Sequence, residues 1–250
     1  MKNKMLNTAI CFLWIPFLIS IGQLGSTSNF SDNTVQFNEC FAVDTVSNPK
    51  KNRKHSKGKA WNNHPQQIPG KVQCEWYDLG GEGIAFHDTD TVNNGSGKLN
   101  PANGTFLNEF RMNEGVDISY TKARDIDNNP FNKVEPQMDQ LYVGWTEPGE
   151  WINYTVNVKK SGEYLVEIMY TASGDGSISL QLDGQKLSDD LLITSTRNEK
   201  ETIAWRQWHH WNRIDELGRV KLKKGIHVLT LKTIMNGNMN YDYLNFKLNE

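Results

Sequence analysis

The 250-residue sequence has few cysteines, no excess of positive charge and few long apolar runs. Three cysteines are too few for a disulfide framework. The 27 Lys and Arg residues against 29 Asp and Glu give a net charge of −2, which provides no basic field for a phosphate backbone and argues against nucleic acid as a partner. The sequence also lacks a long amphipathic helical pattern and the common hydrolase, zinc-protease and phosphate-loop motifs. Aromatic residues and turn formers are plentiful instead, with 8 Trp, 8 Tyr and 20 Gly.

The first 22 residues have the pattern of a signal peptide. Lys2 and Lys4 precede an apolar run at residues 9–21, which is short for a membrane span, and the small residues Ser20 and Gly22 suit a cleavage site. An uncleaved anchor is the alternative for this run. We therefore expect a secreted protein, extracellular or periplasmic, with no membrane span in the mature chain.

Residues 23–70 have the composition of a low-complexity linker. They show little apolar periodicity and include a polybasic run at residues 48–59, so they offer too little apolar surface to offset the entropy of ordering. We interpret them as a disordered tether. Cys40 lies in this segment and could pair with Cys74 in an oxidising compartment, but the alternating pattern around Cys74 favours a buried free thiol.

Short strand-like runs separated by turn signals fill residues 71–250. Apolar and polar residues alternate in many of them, and Gly, Asn, Asp and Pro punctuate the gaps. The predicted strands are residues 72–77, 115–120, 141–145, 151–158, 164–172, 177–182, 219–223, 227–234 and 241–247. This regular series predicts an all-β domain, an antiparallel β-sandwich of the jelly-roll type. The long stretches 87–113 and 121–140 are predicted loops.

Catalytic residues are hard to identify in this domain. Glu147 and Glu150 flank a turn, and paired carboxylates can hydrolyse glycosides, but 29 acidic residues produce such pairs by chance. The run His87, Asp88 and Asp90 has metal-ligating residue types, although a polar turn has the same composition. With no nucleophile–base pair or metal set visible, we predict that the chain is not an enzyme.

Several motifs in this domain resemble one known family when they are taken in order. They are VQCEWYD at 72–78, GGEGIAFHDTD at 80–90, FR and EGVDI within 110–118, VGWTEPGEWINYTV at 143–156, WRQW at 205–208 and NYDYLNF at 240–246. Together they span nearly all of residues 71–248 and resemble a family 6 carbohydrate-binding module. Such modules have a jelly-roll fold and accompany secreted enzymes that degrade polysaccharides.

The resemblance implies a sugar-binding site at the loop end of the sandwich. Sugar rings combine apolar C–H faces with a hydroxyl rim, so a binder needs flat aromatic surfaces and a few hydrogen-bonding groups. The family's two aromatic residues correspond to Trp145 and Trp205, and its asparagine corresponds to Asn240. Trp208 or Trp211 remains an alternative to Trp205, because the stretch that follows is longer than usual.

A second sugar site on the concave sheet face is also implied by the resemblance, at Trp151. Strand alternation places Trp151 and Asn153 on one face and Ile152 and Tyr154 on the other. Since Ile152 suits the core, we expect Trp151 to face outward.

A structural calcium ion is the remaining feature that the resemblance implies. Its ligands would be Gln73 and Glu75 in the first strand and Asp242 in the last, all with the oxygen donors that calcium prefers. A hydrogen-bonded polar edge without metal is the alternative.

We therefore expect a secreted, lectin-like module that binds a polysaccharide or oligosaccharide without cleaving it and works beside separate glycoside hydrolases. Two other functions remain open. One is a small secreted glycoside hydrolase, and the other is a surface protein that docks a protein partner through exposed tryptophans.

Overall fold

The structure is a computed structural model that describes residues 58–123 and 127–249. The predicted signal peptide, the first part of the predicted linker and Cys40 lie outside the described residues. Within the described residues, the chain forms fifteen strands and one short α-helix. The strands are β1 (Gln66–Ile68), β2 (Gly70–Gln73), β3 (Phe86–His87), β4 (Ser96–Gly97), β5 (Asn100–Pro101), β6 (Ile118–Tyr120), β7 (Leu141–Thr146), β8 (Trp151–Val158), β9 (Gly162–Ala172), β10 (Gly176–Leu182), β11 (Gln185–Lys186), β12 (Leu191–Ile193), β13 (Asn212–Leu222), β14 (Gly225–Met235) and β15 (Met239–Leu248). The helix α1 spans Phe106–Glu109, and 3-10 turns span Trp61–Asn63 and Ala204–Arg206.

Two large sheets form the two layers of the fold. One has the order β1-β8-β14-β10-β11, with β3 also on β8 and β12 also on β10; the other has the order β13-β9-β15-β7-β6, with β2 also on β15. Their pairs are antiparallel except for β1 with β8. Each of the nine predicted strands overlaps an observed strand, and the predicted antiparallel β-sandwich is confirmed.

The core lies between these sheets because the strand sequences alternate. In β8, Ile152, Tyr154, Val156 and Val158 are buried, while the residues between them are partly exposed. They join one apolar cluster with side chains from β9, β10, β14 and β15 of the two sheets. Period-two patterning thus places one face of each sheet inward.

The folded domain begins earlier than the sequence analysis predicted. Strand β1 pairs in parallel with the edge of β8, with Gln66 opposite Val156, and Ile68 is fully buried. The part of the predicted linker from residue 58 to residue 70 therefore belongs to the sandwich. The run Gln66–Ile68 is too short for its alternation to predict a strand. It becomes a strand because it pairs with β8, which is distant in sequence.

Cys74 and the two long loops also have defined places. Cys74 is free and fully buried in the core, as predicted. The loop at 87–113 contains β4, β5 and α1. The described part of the loop at 121–140 contacts the stretch before β13, where the N–H groups of Lys133 and Val134 donate to the carbonyl oxygen of Trp211. Each loop contributes a residue to the surface around Trp145 at the end of the sandwich.

Candidate functional site

Two of the predicted aromatic residues line one cavity at the loop end of the sandwich. Trp145 is the partly exposed residue near the end of β7, and Trp205 lies in the 3-10 turn at 204–206. The cavity between them, here called the aromatic cavity, has a volume of about 190 Å³. Its lining consists of Leu99, Ser119, Lys122, Tyr142, Trp145, Trp205, Trp208 and His209. Flat aromatic faces and hydrogen-bonding groups thus meet in one concave surface.

Trp145 has an unusual backbone conformation that turns the chain at the end of β7. Its φ angle is 48°, in the left-handed region that bulky residues rarely adopt. The preceding Gly144 allows a close approach, because a Cβ there would lie 3.0 Å from Asn240 Oδ1. The Trp145 N–H donates to the same Asn240 oxygen over 3.1 Å. The strained backbone of Trp145 is thus fixed by the Asn240 side chain.

Asn240 lies beneath the aromatic cavity and is only 2% exposed. Besides accepting from Trp145, its Nδ2 donates to Thr171 Oγ1 over 2.9 Å and to His209 Nδ1 over 3.0 Å. It does not line the cavity, although the resemblance implied a direct contact with sugar. The structure therefore gives Asn240 the role of holding Trp145 and His209.

A buried carboxylate continues this network under the cavity. His209 Nε2 lies 2.8 Å from Asp127 Oδ1, and the indole N–H of Trp211 donates to the same oxygen over 2.9 Å. Since His209 Nδ1 accepts from Asn240, its Nε2 carries the proton that is donated to Asp127. Burial alone would raise the pKa of Asp127, but hydrogen bonds from His209 and Trp211 outweigh it and lower this pKa. Sequence analysis missed Asp127 and its pairing with His209, because no local motif links two residues so far apart.

The three tryptophans near the second aromatic position have distinct environments. Trp205 is 63% exposed, Trp208 is partly buried in the cavity lining, and Trp211 is fully buried beside Tyr142. The alternative that Trp211 stacks on a ligand is therefore wrong, because its ring packs inside the protein. Glu201 fixes the loop that carries Trp205 by accepting from the Ile203 N–H and from Arg206 Nε.

An acidic cavity adjoins the aromatic cavity and shares Trp145 with it. It has a volume of about 230 Å³ and is lined by Asp88, Thr89, Asp90, Asn94, Asp117, Trp145, Glu147, Glu150 and Asn238. Burial, helped by Glu150, raises the pKa of Asp88 to about 7, and burial raises the pKa of Asp117 to about 6. Carboxylates in this position can accept hydrogen bonds from sugar hydroxyls. They come from three separate segments, so the sequence showed no sign that they converge.

Trp151 lies outside the aromatic cavity, on the solvent side of β8. It is partly exposed and Ile152 is buried, as the alternation predicted. Its register partners are Lys232 on β14 and His87 on β3, and the His87 ring centroid is 6.4 Å away. Asn153 on the same face is engaged, since it donates to the Ile84 carbonyl oxygen and accepts from Thr230 Oγ1.

The three predicted calcium ligands share one property. Gln73 Oε1, Glu75 Oε2 and Asp242 Oδ1 are buried oxygens without a hydrogen-bond partner. Gln73 and Asp242 line a cleft of about 140 Å³ together with Gln140, which donates to the other oxygen of Glu75 over 2.8 Å. Burial raises the pKa of Glu75, and it raises the pKa of Asp242 to about 7 although Lys71 opposes this.

These donors suit calcium by type, since it binds carboxylate and amide oxygens. Buried oxygens without partners are costly unless a cation or a proton compensates them. Within the described part of the chain, however, no group of three or more His, Cys, Asp or Glu residues is placed to hold a metal. The proposed calcium ligands are two carboxylates, Glu75 and Asp242, and one amide, Gln73.

Comparison with known proteins gives one match to a family model. The model of the carbohydrate binding module (family 6) matches residues 117–248, slightly more than half of the chain. This range includes Trp145, Trp151, Trp205, Asn240 and Asp242. Among curated proteins, no sequence gives a significant match.

Several solved structures are similar to the chain. A β-1,3-glucan-binding family 6 module from Bacillus halodurans has 16% identity and a TM-score of 0.43, covering 74% of this chain and 99% of that one. A family 6 module from Clostridium stercorarium, solved with cellobiose, has 12% identity and a TM-score of 0.44, covering 74% and 98%. The C-terminal family 6 module of a marine laminarinase from Zobellia galactanivorans has 22% identity and a TM-score of 0.34, covering 44% and 81%.

Among the described residues, no helix is both long and apolar enough to cross a membrane.

Proposed function

The chain belongs to the family 6 carbohydrate-binding modules, and we propose that it holds its glycan in the aromatic cavity between Trp145 and Trp205. Carbohydrate binding without catalysis is the function of the module. One observation supports this location: the partly exposed Trp145 and the highly exposed Trp205 line the same cavity of about 190 Å³. Aromatic faces that converge on a concave surface provide the stacking surfaces that a sugar ring requires.

Each group around the aromatic cavity has a role in this proposal. Trp145 and Trp205 stack on the two faces of a sugar, and Trp208 closes the inner wall. Asn240 and His209 position these aromatics from below, while the adjoining acidic cavity accepts hydrogen bonds from hydroxyls further along the glycan. With one or two rings held at the surface, Kd is expected to be roughly 10 μM to 1 mM, or about −4 to −7 kcal/mol.

Trp151 provides a second, weaker contact in the proposal. Its partly exposed ring on β8 lies outside the aromatic cavity, so a glycan there would bind independently. Calcium is proposed as a structural ion that Gln73, Glu75 and Asp242 would bind. Its charge would compensate their three unpartnered buried oxygens and would link β2 and the following turn to β15, the strand with which β2 pairs.

The chain as a whole is proposed to be secreted and to have no enzymatic activity of its own. Extracellular polysaccharides would be the ligands of such a module, and separate glycoside hydrolases would cleave them. The acidic cavity beside Trp145 contains carboxylates, the groups that glycoside hydrolases use, so hydrolysis is the activity to test. Reducing-sugar release is measured from every polymer that the chain binds. Sustained release that Glu150→Gln abolishes would contradict this part of the proposal.

Calorimetric titration with xylo-, cello-, laminari-, agaro- and galacto-oligosaccharides tests the binding site. Trp145→Ala should abolish measurable binding of the preferred sugar in the aromatic cavity while it leaves the thermal unfolding midpoint nearly unchanged. Leu192→Ala, at an exposed apolar position on β12, is the matched control and should bind as the wild type does. A wild-type Kd in Trp145→Ala would contradict the proposed location.

A further inference from the structure

A second aromatic groove lies on a different part of the molecule, formed by residues 61–71 of the sandwich together with Trp76 and Phe106. It has a volume of about 530 Å³, within the size range of small-ligand sites. Trp61, Trp76 and Phe106 provide its aromatic surface, and Asn62, His64, Gln66, Gln67 and Lys71 are among its polar lining residues. We call it the N-terminal groove. Its lining residues all precede residue 117, where the match to the family model begins.

Exposure of aromatic rings distinguishes this groove from the rest of the surface. Among the described residues, the exposed Trp, Tyr and Phe side chains are Trp76 (42%), Phe106 (63%) and Trp205. Two of these three line the N-terminal groove, and the third lines the aromatic cavity. Exposing a large ring to water is unfavourable, so the coincidence of such rings with concave surfaces points to a ligand.

The rings of the groove are held in place before any ligand arrives. Trp61 and Phe106 both pack edge-on against the buried Phe110, each with a centroid distance of 5.1 Å. Two hydrogen bonds between the backbones of Lys59 and Leu79, of 2.8 and 2.7 Å, anchor the chain just before Trp61. Little conformational freedom is therefore lost when a ligand binds here.

Gln66 fixes the third ring. Its Nε2 donates to the carbonyl oxygens of Gln73 and Trp76, over 3.1 and 3.2 Å, and its Oε1 accepts from the Gln73 N–H. These bonds attach β1 to the turn that carries Trp76. The groove thus depends on β1, the strand that the sequence analysis assigned to a disordered linker.

The charges of the groove identify the class of ligand that it suits. Amides and an imidazole surround the rings, Lys71 is the charged residue of the lining, and no carboxylate is among the lining residues. The acidic cavity beside Trp145 has the opposite character. A neutral sugar chain complements flat rings and amides, whereas a cationic amino sugar would find no carboxylate among the lining residues. The Lys71 ammonium itself lies 3.8 Å from the Tyr243 ring centroid.

We propose that the N-terminal groove is a second oligosaccharide-binding site, in which Trp76 and Phe106 stack on sugar rings. The proposal rests on the module's carbohydrate-binding function but not on the aromatic cavity being its site. Two sites on one chain would let the module hold a long polysaccharide at two points. The combined affinity for the polymer would then exceed the affinity of either site for a short oligosaccharide.

The test uses the full chain in a background in which the other proposed contacts are removed. Trp145→Ala/Trp151→Ala/Trp205→Ala should retain weak calorimetric binding of a neutral oligosaccharide, and adding Trp76→Ala should eliminate it. In the otherwise wild-type chain, Trp76→Ala should leave the Kd of the tighter oligosaccharide site unchanged but weaken retention by the polymer in affinity electrophoresis by about tenfold. Trp76→Phe should restore most of this retention, and Leu192→Ala should have no effect.

The remaining outcomes distinguish this inference from the proposed function. The thermal midpoint shows whether Trp76→Ala is folded. If the folded variant is still retained by the polymer as strongly as the wild type, and the residual oligosaccharide binding also persists, the N-terminal groove is not a glycan site. A truncation that starts at Gly58 gives a second measurement. If oligosaccharide binds in the groove of this truncated chain but not in the groove of the full chain, residues 1–57 occupy the groove and the inference is overturned. If Trp205→Ala leaves binding unchanged while Trp76→Ala removes it, the proposal for the aromatic cavity is contradicted and the proposal for the N-terminal groove is supported.

Discussion

Replacing Trp205 by alanine is the most informative perturbation of the aromatic cavity. The ring is 63% exposed, so its removal leaves no cavity in the core and should change the free energy of unfolding very little. Trp145 is less suitable for a quantitative test, because its ring is partly buried and its backbone is strained. A loss of affinity in Trp205→Ala therefore reports on contact with the ligand.

The size of the effect follows from the area that a sugar can cover. A Trp side chain has about 150–250 Å² of surface, and covering one face of the exposed part removes roughly 50–80 Å² from water. At about 25 cal/mol per Å², this stacking contributes about 1–2 kcal/mol. Kd should then rise by about 5- to 30-fold in Trp205→Ala.

Calorimetric titration of the preferred oligosaccharide measures this change, and thermal unfolding monitors the fold. Trp205→Phe keeps a flat ring and should recover most of the affinity, whereas Ile203→Ala in the same loop should bind as the wild type does. A Kd for Trp205→Ala within about twofold of the wild-type value, with an unchanged unfolding midpoint, would refute stacking at this residue.

Three further predictions concern the network, the acidic cavity and the calcium ligands. Trp211→Ala removes a fully buried ring and should lower the free energy of unfolding by about 3–5 kcal/mol in a denaturant titration; a loss under about 1 kcal/mol would contradict its core role. Because burial raises the pKa of Asp88 to about 7, the folded chain retains a proton between about pH 4 and 7 that the unfolded chain releases, so stability falls as pH rises through this window. Asp88→Asn should therefore raise the thermal midpoint more at pH 8 than at pH 5, and an equal shift at both would contradict the raised pKa. Calcium at a hundred times its Kd should stabilise the wild-type chain by about 2.7 kcal/mol and so raise its thermal midpoint, but it should not affect Asp242→Asn. An equal calcium response in both would exclude Asp242 as a ligand.

Strand patterns were predictable because they are local. In β8, the alternation that buries Ile152 and exposes Trp151 lies in consecutive residues, and the observed strand has the predicted ends. The order of motifs from residue 72 to residue 246 likewise indicated the family, because each motif is a short run of neighbouring residues. Trp145 and Trp205 were identified by motif, and both line one cavity of the folded chain.

Burial of individual side chains was less accessible to sequence reasoning. Asn240 belongs to a recognisable motif, yet its amide is saturated by Thr171, His209 and Trp145. Trp205, Trp208 and Trp211 are close in sequence and alike in chemistry. Trp211 is buried in a cluster with Tyr142, Met169 and Tyr243, and the described part of the loop at 121–140 hydrogen-bonds its backbone, whereas Trp205 is exposed.

By itself, the amino-acid sequence determined the sandwich architecture, the carbohydrate-binding family and the aromatic residues that bind sugars in the proposal, since alternation and motifs act over a few consecutive residues. The tertiary structure alone decided which groups meet. Asp88 and Asp117 converge on Trp145, and Trp76 meets Phe106 in a groove that depends on β1. Such meetings result from strand pairing and loop packing between residues far apart in the chain, and no local pattern encodes them.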